Sequence, residues 1–320
     1  EVTVIDAVNG AREGMRVVVE DGRIAAVESA ATPWEGAEPA ATVAGEGAYL
    51  IPGLWDFHVH LSYDARFTDA MPEMFLRYGI TSVRDTGGML DLVLPIVERM
   101  EAEGALAPRV FFAGPLLDGE HVVYDGDSRP EIGIPTPDVE TARANVARLA
   151  EAGVDFIKVY EMITPEVFAA LVEESDARGL PRDGHVPLSM LARDVGPSMQ
   201  SLEHLRNIEM DCAADAEARL AQRRAALEAW TTDDGPGGDL RSALHSEHRL
   251  PSVAAYDAGR CAETIAALSE TIQVPTLRLN ALGIAPPWMR DGWDAALDAS
   301  PAEAGADWRA AGERQRTAPP

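Results

Sequence analysis

Apolar and polar positions alternate along the first fifty residues. "VTVIDA", "MRVVVEDGRIAAVE" and "ATVAGEGAYL" are period-two runs separated by turns such as "EDGR", the pattern of short, half-buried strands. They predict a small sheet over residues 1–50. The pattern changes after "IPG". From residue 51 onward, apolar runs of strand length alternate with amphipathic runs of helical period, the signature of βα units around a parallel sheet. The predicted strands are "GLWDFHVH", "ITSVRD", "RVFFAG", "VDFIKVY", "PRDGHV", "QSLEHL" and "IQVPTLRL". Helices are predicted near 69–78, 89–103, 138–152, 164–178, 188–195 and 258–270, with a further helical stretch near 290–314. "TTDDGPGGDL" is a glycine- and aspartate-rich loop within an insertion spanning roughly 207–252.

The polar residues at the ends of these strands form a pattern of their own. "DFHVH" places His58 and His60 two residues apart, on the same side of one strand. The fourth strand carries Lys158, the fifth ends in His185 and the sixth in His204. The chain has seven histidines, and the other three, His121, His245 and His248, fall in loops or in the insertion. Imidazole is a common transition-metal ligand and suits zinc. Of the 27 lysines and arginines, Lys158 alone is a lysine, and it sits inside an apolar run. Burial lowers the pKa of an amine, and a neutral amine takes up CO2 to become a carbamate. A carbamate has two oxygens and can bridge two cations, which arginine cannot do.

Together these segments resemble the amidohydrolase superfamily, closest to its imidazolonepropionase-like and Xaa-Pro dipeptidase-like branch. The resemblance is carried by "IPGLWDFHVHL", "GITSVRDTGG", "FIKVY", "GHVP" and "SLEHL" in that order, and covers the chain to about residue 280. It implies a (β/α)8 TIM-type barrel over 51–320, with 1–50 as part of a β-sandwich built from both chain ends. It implies two zinc ions, one held by His58 and His60, the other by His185 and His204, with carboxylated Lys158 bridging them. The implied activity is hydrolysis of a C–N bond in a dipeptide, N-acyl amino acid or cyclic amide by a metal-bridged hydroxide. A homo-oligomer is also implied. Arg84, His121 and Tyr160 are candidate substrate contacts; Arg84 equally suits neutralising a carboxylate near the site or pinning a loop, and Tyr160, which follows Lys158 by two, equally suits core packing. The segment 114–127 has the length and aromatic content of a substrate lid or of a plain surface loop.

The chain departs from that family in one respect. Seven strands are counted where a closed barrel needs eight. The aspartate that family members carry at the end of strand eight, their proton shuttle, has no counterpart here. "WTTDDG" lies in the insertion, and Asp291, Asp294, Asp298 and Asp307 fall on or beside a helical stretch. The catalytic acid–base residue is therefore unassigned. A shortened chain, a second C-terminal polypeptide that completes the barrel, or a chain without activity would each explain this. The unpaired edges of an open barrel favour a missing or partner-supplied piece. The alternative function is accordingly a non-catalytic metal-binding subunit.

Composition narrows the partners. The chain has 320 residues, is 46% hydrophobic and carries a formal net charge of −26. That charge argues against nucleic acid or an anionic membrane as partner, both of which need a basic face. No apolar run approaches the roughly 20 residues of a membrane helix. The two cysteines, Cys212 and Cys261, suggest neither a metal motif nor a disulfide framework. The chain begins at Glu1 and not at Met, so an upstream piece is expected to be absent from it. A cytoplasmic location is expected.

Overall fold

The computed structural model describes residues 1–127, 129–282 and 284–317. The chain divides into two units, 1–54 and 55–320. The first unit holds β1 (Val2–Asp6), β2 (Gly10–Glu20), β3 (Arg23–Ser29) and β4 (Tyr49–Leu50), ordered β3-β2-β1-β4 in one sheet. β2 is antiparallel to both β1 and β3, and β4 runs parallel to β1. The turn between β2 and β3 needs two residues at positive φ, and Asp21 and Gly22 supply them at 50° and 73°. Among the described residues this segment is a single sheet.

The second unit alternates strands and helices from its start. β5 (Leu54–Val59) is followed by α1 (Met71–Arg77), β6 (Ile80–Asp85), α2 (Leu90–Glu101), β7 (Arg109–Phe112), β8 (Leu116–Asp118) and β9 (Gly133–Pro135). Then come α3 (Val139–Glu151), β10 (Ile157–Val159), α4 (Pro165–Ala177), β11 (Arg182–Gly184), α5 (Ala192–Val195) and β12 (Ser201–Glu203). The insertion forms α6 (Ile208–Asp211), α7 (Ala216–Ala229) and α8 (Gly237–Ala254) before α9 (Ala258–Ala267) and β13 (Ile272–Val274). α10 (Leu277–Leu282), α11 (Trp293–Asp298) and α12 (Ala302–Thr317) complete it. The starts of α3, α4 and α9 are fixed by Asp138, Thr164 and Asp257, whose side chains accept the backbone N–H of the third residue on.

Two sheets result, β5-β6-β7 and β13-β12-β11-β10-β8-β9, and the pairings β6–β7 and β8 to β13 are parallel. The predicted third strand "RVFFAG" is β7, and β8, inside the 114–127 segment read as a lid or loop, belongs to the second sheet. The apolar core lies between these strands and the helices, with Val83, Val110, Leu117, Ile157 and Val159 against Val93, Val146, Leu149 and Leu171. This α/β order and parallel pairing fit a TIM-type fold. Among the described residues no strand follows β13, and no ladder joins β13 to β5.

Two expectations need correction. The run "IQVPTLRL" is a strand only to Val274; Pro275 follows, and "LRL" opens α10. Proline has no N–H to give a ladder. Cys212 and Cys261 form a disulfide, with Cα atoms 4.2 Å apart. α6 and α9 bring them together: Asp257 donates its N–H to Cys212 O, and Ala214 donates to Ala255 O. A separation of 49 residues conceals that contact from the sequence. The aspartates left unassigned lie away from the strand ends. Asp294 and Asp298 pair with Arg309, Asp307 with Arg66, and Asp291 is exposed.

Candidate functional site

Period two decides which side chains meet. Lys158 and Tyr160 lie on one face of β10, and Asp183 and His185 on one face of β11. The ladder sets Lys158 beside Asp183, and Asp183 beside Ser201. Gly184 lets β11 approach closely: a Cβ there would stand 2.1 Å from Val159 O. His185 then donates its backbone N–H to that same oxygen. β12 points Ser201 and Glu203 inward, so simple alternation would send His204 outward. Left-handed backbone at His204 (φ 62°) and Leu205 (φ 55°) breaks the strand and turns the ring back inward. Bulky residues seldom adopt that conformation, and it gathers at functional sites.

The result is a cavity of about 530 Å³ whose walls include His58, His60, Lys158, His185 and His204. His58 lies 5.2 Å from His60 and 4.5 Å from His204, and His204 lies 4.9 Å from His185, between ring centroids. Tyr63, Tyr124 and Tyr160 form an aromatic wall, with Tyr160 4.6 Å from the His185 ring. Tyr160 therefore reaches the cavity. Among the lining residues, Asp56 supplies the carboxylate, and it accepts the backbone N–H of His58.

Every one of the four histidines is anchored through Nδ1. The partners are Glu203 Oε2 for His58 (2.7 Å), Gly87 O for His60 (2.9 Å), Glu161 Oε1 for His185 (2.5 Å) and Thr276 Oγ1 for His204 (2.7 Å). Burial pushes all four below the ordinary imidazole value, His60 and His185 to about 4, and the charge of Lys158 adds to it. Neutral rings held by one nitrogen keep the other for a cation, and metal-binding histidines are usually held this way. The donor set thus fits divalent metal. Among the described residues no three His, Cys, Asp or Glu side chains yet stand close enough to hold one ion together, so sharing an ion requires the rings to draw in.

Beneath the histidines lies a buried charge network. Lys158 Nζ stands 3.4 Å from Asp183 Oδ2, both side chains almost wholly buried. Arg84 reaches Asp183 at 3.2 Å and Glu203 at 2.6 Å. Burial raises Asp183 to about 6 against the opposing pull of Lys158 and Arg84. Arg84 is not among the cavity-lining residues: its guanidinium pairs with two carboxylates and lies over the rings of Phe57 and Phe156. His121 is also away from the cavity walls, with Nε2 3.2 Å from Trp230 O. The 114–127 segment is not a free lid. Val123 packs with Leu240 and Leu244 of α8, and Asp118 accepts the N–H groups of Gly119, Val123 and Met162.

Sequence reasoning passed over Glu161 and α8. Glu161 is fully buried and meets His185, Arg241 and His245. The available signals were an acidic residue in the apolar run "KVYEMI" and basic residues at 241, 245 and 249, one helical turn apart.

No family model matches the chain. Over 63 residues it is 44% identical to an imidazolonepropionase from Ectopseudomonas mendocina, covering 20% of this chain and 16% of that protein. Its fold is similar to a putative prolidase from Bifidobacterium longum, with a TM-score of 0.53 and 21% identity over 89% of this chain and 77% of the other. It is also similar to a bottromycin amidohydrolase, with a TM-score of 0.51 and 22% identity over 89% of this chain and 64% of the other. The resemblance to amidohydrolases read from the motifs is borne out, and the chain spans less than two thirds of the imidazolonepropionase and of the bottromycin enzyme. Among the described residues no helix is long and apolar enough to cross a membrane.

Proposed function

We propose that this chain is a metal-dependent hydrolase of C–N bonds in small amides or peptides. The observation that carries the reading is the gathering of four anchored, neutral histidines and one buried lysine around a single cavity. His58 and His60 would hold one divalent ion, His185 and His204 a second, and Lys158, once carboxylated, would serve both. Bound zinc supplies Lewis acidity, polarising a carbonyl and acidifying water. The chain's own residues do the rest. Glu203, Gly87 O, Glu161 and Thr276 fix the ring orientations. Tyr63, Tyr124 and Tyr160 provide an aromatic wall for an organic substrate. Carboxylation of Lys158 joins its neutral amine to CO2 and releases one proton, and Asp183 is the adjacent carboxylate.

The test is metal content and hydrolysis measured together. Elemental analysis of the intact chain should find zinc or another divalent ion, and His58→Ala/His60→Ala should remove most of it while helix content persists. A panel of dipeptides, N-acyl amino acids and cyclic amides, with and without chelator, reads the activity. Unchanged metal in the double variant would sink the site assignment.

A second reading is that this polypeptide binds metal but needs another segment to act. It is favoured by the sheet edges at β13 and β5, which no described strand joins. Activity appearing only when a polypeptide bearing an eighth strand is added would decide for it. Full activity of residues 1–320 alone would decide against it.

A further inference from the structure

We propose that Glu161 is the positioning residue for His185, and that Arg241 and His245 of α8 hold Glu161 in place. The helical insertion then becomes a working part of the site. The proposal rests on His185 being a metal ligand, as read above.

Glu161 follows the β10 strand that carries Lys158, and its side chain is completely enclosed. Oε1 lies 2.5 Å from His185 Nδ1 and 2.9 Å from Arg241 Nη2, and Oε2 lies 2.5 Å from His245 Nε2. Arg206 stands further off, at 3.7 Å. Arg241 can only donate, so Oε1 accepts, and His185 Nδ1 on that same oxygen is placed to donate as well. The lone pair of the neutral ring then resides on Nε2. Without that bond the ring has two accessible orientations about its last torsion and either nitrogen can carry the proton.

The clamp comes from outside the βα framework. Arg241 and His245 are four apart and share one face of α8. α8 is keyed against the rest of the unit by Leu240 and Leu244, which pack with Leu116, Ile132, Tyr160 and Leu188. Arg129 adds hydrogen bonds to Gly238 O and Ser242 Oγ. Gly237 allows the close approach of the helix start, since a Cβ there would stand 2.6 Å from His121 O. A merely structural ion pair would need Arg241 and Glu161 alone. Here the same carboxylate oxygen serves the arginine and the histidine ring.

The experiment uses the full chain and two readouts. Long-range ¹H–¹⁵N NMR of the metal-free protein should show His185 protonated on Nδ1. Glu161→Met with Arg241→Met removes both charges together, the change a buried pair tolerates best. It should abolish that tautomer preference and weaken zinc binding by about 10-fold or more. In a His185→Ala background the same paired change should cost nothing further, because Glu161 acts through that ring. An unchanged tautomer, or losses of zinc affinity that add, would overturn the proposal. If the paired variant does not fold, His245→Ala decides. A several-fold weaker zinc affinity supports the clamp, and wild-type affinity with an unchanged tautomer overturns it. A wild-type chain that takes up no zinc defeats the hydrolase reading instead, and the tautomer alone then settles the role of Glu161.

Discussion

Nδ1 of His58 lies 2.7 Å from Oε2 of Glu203, and the other oxygen of that carboxylate lies 2.6 Å from Arg84. Arg84 continues to Asp183, and Asp183 to Lys158. One continuous line of charge thus runs from the first strand of the site to the fourth. Removing Arg84 leaves two enclosed carboxylates with less to neutralise them. Arg84→Met should therefore lower unfolding free energy by about 3–5 kcal/mol, the usual cost of breaking a buried pair from one side. Urea unfolding checks it, and an unshifted midpoint would show that the network contributes little.

Lys158 has a different sensitivity. If its role is carboxylation, Lys158→Arg should lose metal although it keeps the formal charge, because guanidinium stays protonated and offers no acceptor. Lys158→Ala should also lose metal but leave a cavity. Acetate or propionate should restore part of the bound zinc to the alanine variant and none to the arginine variant. Equal response of the two variants to added acid, read by elemental analysis, would count against a bridging carboxylate.

Asp118 should tie stability to pH. Burial raises its carboxyl to about 7 despite three backbone N–H groups bonded to it. The unfolded chain titrates it near 4. The protonated folded form is the favoured one. Its contribution is therefore complete below about pH 4 and is lost as pH rises through about 7, up to about 4 kcal/mol in all. Asp118→Asn should be less stable throughout, since an amide cannot accept all three bonds, but should lack this share of the pH slope. Denaturant titrations at pH 4, 5.5 and 7 check the difference, and parallel curves for the two proteins would refute it.

The Cys212–Cys261 disulfide closes a loop of about 50 residues. On the chain-entropy account such a closure stabilises by about 4 kcal/mol. Cys212→Ala/Cys261→Ala should lower the thermal midpoint by several degrees, and the wild-type chain under reductant should fall with it. Intact mass without reductant should show two fewer hydrogens than with it. A chain already reduced as purified would remove the basis of this expectation.

How far the sequence led is clearest from single residues. His58, His60, Lys158 and His185 sit where strand periodicity and strand ends put them, so their gathering was legible. His204 was found at a strand end, but its inward turn depends on left-handed backbone that alternation does not foretell. Arg84 pairs with carboxylates beside the site, one of the roles its sequence position offers, but which two, Asp183 and Glu203, depends on strands far along the chain. Glu161 is hard to read from the sequence because two of its partners, Arg241 and His245, lie 80 and 84 residues downstream, in an insertion that βα alternation cannot register. β8 was hidden instead: "LLD" follows the turn signal "GP" at the head of a segment read as a lid or loop, and only its pairing with β9 and β10 makes it a strand.

The enclosure of Lys158 has a practical side. It is the only side-chain amine in 320 residues, and it is 1% exposed. Acylating and reductively methylating reagents therefore meet no competing lysine anywhere on the protein. In the folded chain this one is almost wholly enclosed, within the wall of the histidine cavity, and a carboxylated nitrogen would resist them further. The modification rate at this single atom thus reports directly on how often the interior opens to solvent, with no background to subtract from other lysines.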